Sequence, residues 1–127
     1  MHGFILERRV IAVVDDDPMI RQALDRLLAS LGYRAELYAS AAEFIAAALT
    51  TEASCLLLDV QLGAMTGIEL ARHLISTGFS FSIIFMTGSR DESYQRDGVS
   101  SGCVDYLHKP FPADRLVCAI GKALVRH

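Results

Sequence analysis

Residues whose side chains can do chemistry follow four separate apolar segments of the sequence. Asp15 and Asp16 come directly after the first segment, and Asp59 directly after the second. Thr87 follows a third segment, and Lys109 stands just beyond a fourth. If all four segments are parallel strands, their carboxyl ends meet at one edge of a sheet. The sequence therefore predicts three carboxylates, one hydroxyl and one ammonium group in a single crevice.

This combination of groups points to a magnesium-dependent phosphate site. Clustered carboxylates raise each other's pKa unless a cation neutralises them, and oxygen ligands favour Mg²⁺ over zinc. Magnesium commonly joins carboxylates to phosphate oxygens, which Lys109 and Thr87 could also contact. A carboxylate can itself attack phosphorus and form an acyl phosphate. Asp59 is the candidate nucleophile, because the acidic residues that could hold the metal precede it in the chain and Thr87 and Lys109 follow it.

Five apolar segments that alternate with amphipathic segments must position these groups. The predicted strands span residues 10–14, 33–38, 55–58, 83–86 and 103–107. Helices with cap signals at Asp17, Ser40 and Thr66 follow the first three strands, and another helix ends the chain. This alternation predicts an α/β domain with right-handed crossovers and a parallel sheet covered on both faces.

Two predicted elements are less regular than the rest. The strand at 33–38 alternates charged Arg34 and Glu36 with other residues, which favours a sheet edge. Residues 91–101, which would form the fourth helix, are mostly polar and include Gly98. We expect a short helix there at most.

The composition fits one globular domain and argues against several classes of protein. The chain has 127 residues, of which 52% are hydrophobic, and a net charge of −3. Because it has no dense run of Lys or Arg, we expect no direct contact with nucleic acid. No apolar stretch reaches the roughly 18 residues that a membrane span needs, so we expect a soluble, cytoplasmic protein without membrane contact.

The cysteines and histidines show no pattern of a metal site. The three cysteines, an odd number, include no CxxC pair, and we expect all three to be small buried residues in a reducing compartment. The four histidines are not spaced as metal ligands, and none is near the acidic cluster. We interpret all four as surface or packing residues.

Four motifs in order resemble the receiver domain of two-component response regulators: VVDDDP, LLLDVQLGAMTG, FMTG and DYLHKPF. The resemblance covers residues 8–126 and leaves 1–7 as an N-terminal extension. It implies a single (βα)5 domain, a doubly wound parallel sheet with the flavodoxin-like strand order 2-1-3-4-5. It also implies a phosphorelay signalling domain, not an enzyme that turns over a separate substrate.

The resemblance assigns the phosphoryl and metal chemistry to four positions. It implies that Asp59 accepts a phosphoryl group from a phosphohistidine on a sensor histidine kinase or a histidine phosphotransfer protein. Asp15, Asp16, Asp59 and the backbone carbonyl of Gln61 would hold Mg²⁺, directly or through water. Each of these positions matches the family motif.

Further residues would sense the phosphoryl group. The resemblance implies that Thr87, with Gly88 beside it, turns towards the phosphate and that Lys109 pairs with it. Tyr106 would then change rotamer and report the switch. The Lys109–Pro110 peptide bond resembles the family's cis bond.

The resemblance leaves the output of the switch open. The partner could be a downstream effector or an output domain, and the 91–125 face could support a homodimer. Two features depart from the family pattern: Gly63-Ala64 replaces a pair that often contains Pro, and residues 91–101 are unusually polar. Gln61 and Ser89 resemble the positions where the family tunes hydrolysis of its acyl phosphate, and since neither is an obvious general base we expect no especially fast autodephosphorylation.

Two other functions compete with this interpretation. Asp15-x-Asp17 after an apolar strand resembles the nucleophile motif of haloacid-dehalogenase-like phosphohydrolases. That family would require a second acidic pair after the lysine, where this chain has only Asp114. The other alternative is a receiver-like module that is never phosphorylated and acts through constitutive contacts.

Overall fold

The computed structural model describes residues 8–88 and 103–125 and shows a five-stranded parallel sheet. The strands lie in the order β2-β1-β3-β4-β5, and every neighbouring pair is parallel. This confirms the predicted order. The strands are β1 (Val10–Val14), β2 (Arg34–Tyr38), β3 (Cys55–Asp59), β4 (Ser82–Thr87) and β5 (Asp105–His108).

Within the described residues, four helices cover the two faces of the sheet, as expected for a doubly wound fold. Their bounds are α1 (Pro18–Ser30), α2 (Ala41–Ala47), α3 (Gly67–Ser76) and α4 (Ala113–Val125). Buried residues of α2 and α3 pack on one face, and those of α1 and α4 on the other. The predicted N-terminal extension 1–7, the helix at 91–101 and Ser89 lie outside the described residues. None of the helices described is long and apolar enough to cross a membrane.

Apolar burial explains why β1, β3 and β4 occupy the centre. Every residue of these three strands is buried, whereas β2 carries exposed and half-buried residues and lies at an edge. Each fully buried Leu or Ile contributes about 1.5–3 kcal/mol relative to an exposed one. The charged side chains of Arg34 and Glu36 would make a central position costly for β2.

The capping residues hold the helices at the positions that the sequence predicts, with one difference in detail. At Thr66 both bonds of a capping box with Glu69 are present. Ser40 accepts the Glu43 N–H at 3.1 Å, but the Glu43 carboxylate accepts from the backbone of Ala39. The return bond therefore reaches the residue before the cap, so α2 has only half of the predicted box.

The structure corrects two expectations. The last strand was predicted at 103–107 but runs from Asp105 to His108, because its pairing with β4 begins at Ile84–Asp105 and ends at Thr87–His108. The prediction of three buried cysteines was wrong for Cys118, which α4 exposes to solvent, and Cys103 is only partly buried. Cys55 is buried, and its burial raises the thiol pKa to about 12, so this cysteine stays protonated and unreactive.

Candidate functional site

The first loop after β1 presents one buried and one exposed carboxylate. The backbone N–H of Asp15 donates to the Tyr38 carbonyl at 3.1 Å, which extends the bonding with β2 beyond the strand. The Asp15 side chain is fully buried, and its Oδ1 accepts the Asp17 N–H at 2.9 Å. Asp16 is exposed beside it. One carboxylate is thus fixed by the backbone, while the other faces solvent.

Asp59 is the last residue of β3 and lies at the same edge of the sheet. Its side chain is buried, and Oδ1 accepts the backbone N–H of Gln61 at 3.0 Å. This bond orients the carboxylate towards the loop that follows β3. Gln61 is exposed in that loop, and Gly63 has a positive φ of 82°. Glycine adopts this conformation without the strain that a side chain would add.

Gly67 allows α3 to begin directly against the end of β3. A Cβ at this position would lie 2.2 Å from the backbone oxygen of Asp59, closer than any side chain can approach. The Gly67 N–H also donates to the Val60 carbonyl at 2.8 Å. The sequence indicated only a loop glycine here, because a close approach between distant segments leaves no local signal.

Lys109 joins the two buried carboxylates. Its Nζ lies 2.7 Å from Asp15 Oδ2 and 3.2 Å from Asp59 Oδ2. Burial lowers the Lys109 pKa, but the hydrogen bond to Asp15 and the charges of Asp59 and Asp15 outweigh it and raise the pKa. The ammonium group is therefore charged at neutral pH. The next peptide bond, Lys109–Pro110, is cis.

Asp15, Asp16 and Asp59 form a group that could hold a metal ion. One carboxylate oxygen from each lies within 4.8 Å of the others. Burial raises the pKa of Asp59 to about 6, and the Asp15 charge adds to this effect, while the Gln61 N–H and Lys109 oppose it. Lys109 therefore does not offset the combined effect of burial and the neighbouring Asp15 charge on Asp59. A set of oxygen ligands with excess negative charge fits Mg²⁺ and not zinc.

The predicted phosphate-sensing residues lie on β4, which is next to β3, and on or just after β5, which is the edge strand beyond β4. Thr87 ends β4 and is 1% exposed, and its carbonyl accepts the Lys109 N–H at 2.7 Å. A Cβ on Gly88 would meet none of the described residues within 4 Å. Tyr106 is buried in the core on the face that α2 and α3 cover. The structure thus links Thr87 to Lys109 through the backbone and places Tyr106 on β5, which leads to Lys109 and pairs with β4.

Two residues at the start of α1 complete the description of the acidic loop: Asp17, which the sequence predicts as a cap, and Arg21, which it does not single out. Asp17 caps the helix, because its Oδ1 accepts the Met19 N–H at 2.9 Å, and it is not one of the three clustered acids. This counts against a catalytic Asp15-x-Asp17 pair. Arg21 donates from Nη1 to the Asp15 carbonyl at 2.7 Å and ties the acidic loop to the first helix. The sequence offered one sign of this contact, because Arg21 lies one helical turn after the acidic triplet 15–17.

Comparisons with known proteins agree on one family. The family model described as "Response regulator receiver domain" matches residues 11–121. The response regulator protein TmoT of Ectopseudomonas mendocina is 34% identical over 118 residues, which cover 93% of this chain and 54% of TmoT. The transcriptional regulatory protein FixJ of Bradyrhizobium diazoefficiens is 35% identical, with 90% and 56% covered. The chain thus spans about half the length of these relatives.

Solved structures give the same result. Full-length FixJ from B. japonicum superposes with a TM-score of 0.89 and 33% identity, covering 95% of this chain and 60% of that one. A CheY-like receiver domain protein from Methanospirillum hungatei JF-1 has a TM-score of 0.86 and 26% identity, with 94% and 96% covered. The sequence motifs, the strand order and the matches agree. The chain belongs to the receiver domain family of response regulators.

Proposed function

We propose that this receiver domain is a switch in a two-component phosphorelay, phosphorylated on Asp59. The donor is a phosphohistidine on a sensor histidine kinase or a histidine phosphotransfer protein. The observation that carries the proposal is the buried Asp59 carboxylate, 3.2 Å from the Lys109 ammonium and beside the Asp15 and Asp16 carboxylates. A purely structural acid would not require three carboxylates to share one crevice.

The transfer is a displacement at phosphorus. A carboxylate oxygen of Asp59 attacks the phosphorus, a new P–O bond forms, and the P–N bond to the donor histidine breaks. The electron pair of that bond goes to the imidazole nitrogen. The donor histidine takes up a proton and leaves as neutral imidazole. The product is an acyl phosphate on Asp59. With a pKa of about 6, Asp59 is mostly ionised at neutral pH and ready to attack.

The chain's own residues hold the reacting groups. Asp15, Asp16, Asp59 and the Gln61 backbone carbonyl would hold Mg²⁺, directly or through water. Bound there, the ion would supply positive charge that offsets the negative charge of the phosphoryl oxygens. The Asp15 carboxylate cannot swing away easily, because the Asp17 N–H holds one of its oxygens. Lys109 supplies a second positive charge where the phosphoryl group arrives.

The response to phosphorylation runs through the ends of β4 and β5. Thr87 and Gly88 close on the phosphoryl oxygens, and Lys109 pairs with them. Because the Lys109 N–H donates to the Thr87 carbonyl, movement at one strand end is transmitted to the other. Tyr106 lies three residues before Lys109 on β5 and changes rotamer in response. The switch is thus a local charge change that biases a two-state element.

The output of the switch lies beyond the described residues. We propose that the receiver spans residues 8–126, acts in the cytoplasm and controls a downstream effector or an output domain. TmoT and FixJ are each about twice as long as the matched region, which supports an output domain. A homodimer through the 91–125 face would use β5 and α4, the described part of that face.

Intact mass spectrometry after incubation with Mg²⁺ and acetyl phosphate tests the proposal. We expect one phosphoryl adduct on the wild type and none on Asp59→Asn or after chelation. Asp17→Asn is the matched control, because Asp17 caps α1 outside the cluster, and it should still form the adduct. Absence of an adduct under every condition would support the unphosphorylated binding module instead.

A further inference from the structure

The ring of His108 packs against the ring of Tyr106. The two ring centroids are 5.4 Å apart, with an interplanar angle of 56°. Tyr106 is 8% exposed, whereas His108 is exposed at the end of the same strand. Phe85 of β4 also contacts Tyr106, at 6.2 Å between centroids. Among the described residues, Tyr106 thus contacts one ring inside the core and one at the surface.

The backbone fixes the position of His108 relative to both Tyr106 and the candidate site. Residues two apart in a strand point to the same face, so the side chains of Tyr106 and His108 lie next to each other. His108 pairs with Thr87 across the sheet, and the following N–H, that of Lys109, donates to the Thr87 carbonyl. His108 therefore lies between the phosphate-sensing residues and Tyr106 along β5.

We propose that His108 is a positioning residue that holds the Tyr106 ring in its inward orientation before phosphorylation. Contact between two aromatic rings favours one arrangement by about two- to tenfold. Loss of the His108 ring therefore increases the outward population of Tyr106 by that factor. The consequence for signalling rests on the proposed function: His108 lowers the basal activity of the switch. When Thr87 and Lys109 move, the His108 backbone moves with them and the ring contact loosens.

Fluorine NMR of protein labelled with 3-fluorotyrosine tests this role without any phosphorylation. The chain has four tyrosines, and Tyr106→Phe identifies the Tyr106 signal. In His108→Ala we expect that signal to shift towards the position of an exposed tyrosine, with the outward population raised about two- to tenfold. His108→Phe keeps a ring at this position and restores the wild-type signal. His73→Ala removes an exposed histidine on α3 and leaves the signal unchanged.

Two results would overturn the proposal: an unchanged Tyr106 signal in His108→Ala, or a failure of His108→Phe to restore the signal. A general loss of stability cannot mimic the expected pattern, because the readout is the environment of one ring and thermal unfolding of each variant is followed in parallel. Because the unphosphorylated protein is measured, the outcome is independent of Asp59. A missing phosphoryl adduct would refute the proposed function and leave the His108 result intact.

Discussion

Two acidic sites in this domain contain the same residue types but differ in their balance of charge. At the candidate site, Asp15 and Asp59 share one cation, Lys109, with Asp16 nearby. On β5, Asp105 faces two cations of α4: Arg115 at 3.5 Å and Lys122 at 3.4 Å. The first site has too few positive charges for its acids, and the second has more than enough.

The pKa values of the two aspartates follow this difference. Burial raises the pKa of Asp59 to about 6, and Lys109 does not compensate fully. Burial also raises the pKa of Asp105, but the Tyr106 N–H and the charges of Lys122 and Arg115 outweigh it and lower the pKa. The cationic partners of Asp105 thus compensate for its burial, whereas the carboxylates around Asp59 could still accommodate a further cation. Burial and charge balance together, and not residue type, separate the two sites.

Removal of Lys109 should have the largest effect on stability. Lys109→Ala leaves two buried carboxylates without their cation, so we expect the metal-free protein to lose about 2–4 kcal/mol of unfolding free energy at pH 7. Lys122→Ala affects a partly exposed pair and should cost less than about 1 kcal/mol. Urea unfolding of both variants measures the difference. Equal losses would mean that the two sites do not differ in charge balance.

The same Lys109→Ala protein should still bind Mg²⁺, because its carboxylates remain. We expect added Mg²⁺ to restore part of the lost stability, as the ion replaces the missing positive charge. Phosphorylation-dependent NMR shifts of the switch should disappear in Lys109→Ala and weaken in Thr87→Ala. Unchanged shifts in both variants would contradict the roles proposed for these residues.

Substitution of Gly67, which lies against the backbone of Asp59, should have the next largest effect on stability. Gly67→Ala places a Cβ against the backbone oxygen of Asp59 and should cost about 1–3 kcal/mol as α3 moves away from β3. Gly121→Ala in α4 meets nothing within 4 Å and should instead stabilise by about 0.5–1 kcal/mol. Thermal unfolding of the two variants shows whether Gly67→Ala is destabilised and Gly121→Ala stabilised. A neutral Gly67→Ala would show that this edge of the sheet tolerates displacement.

The pH dependence of stability should show the excess charge at Asp59. The folded pKa of about 6 lies above the ordinary value of 3.8, so ionisation of Asp59 destabilises the metal-free fold as pH rises from about 4 to 6. Asp59→Asn should therefore stabilise by about 1–2 kcal/mol at pH 7, after allowance for solvent screening, and not at pH 4.

Asp105→Asn should change the unfolding free energy in the opposite direction from Asp59→Asn. The folded pKa of Asp105 is lowered, so its contribution is present above the ordinary pKa and is lost as pH falls through the folded value. At pH 7 we expect Asp105→Asn to destabilise by less than about 1 kcal/mol. Urea titrations at several pH values measure both variants. A stabilising Asp105→Asn would contradict the contrast between the two sites.

Sequence reasoning predicted the parts of this structure that depend on local pattern. The apolar runs before Asp15 and Asp59 indicated central strands, and the charged residues of β2 indicated an edge. The convergence of Asp15, Asp59 and Lys109 followed from parallel topology alone, since such strands end at one edge. The order of the strands required the family resemblance.

The contacts by which helices dock on the ends of the strands were much harder to predict in this way. The approach of Gly67 to the Asp59 carbonyl and the bond from Arg21 to the Asp15 carbonyl depend on how helices dock on the sheet. Neither leaves a periodic pattern in the sequence. The exposure of Cys118 was missed because its residue type was given more weight than the helical period. The buried residues of α4 are Leu116, Ala119, Ile120 and Ala123, and Cys118 lies off this stripe.

The most direct measurement is the chemical location of the phosphoryl group. Borohydride reduction after treatment with acetyl phosphate and Mg²⁺ converts a phosphorylated aspartate to homoserine, which peptide mass mapping locates. We expect homoserine at position 59 and nowhere else. Homoserine at position 15 would contradict the assignment of Asp59 and would instead favour the phosphohydrolase interpretation of the Asp15-x-Asp17 motif.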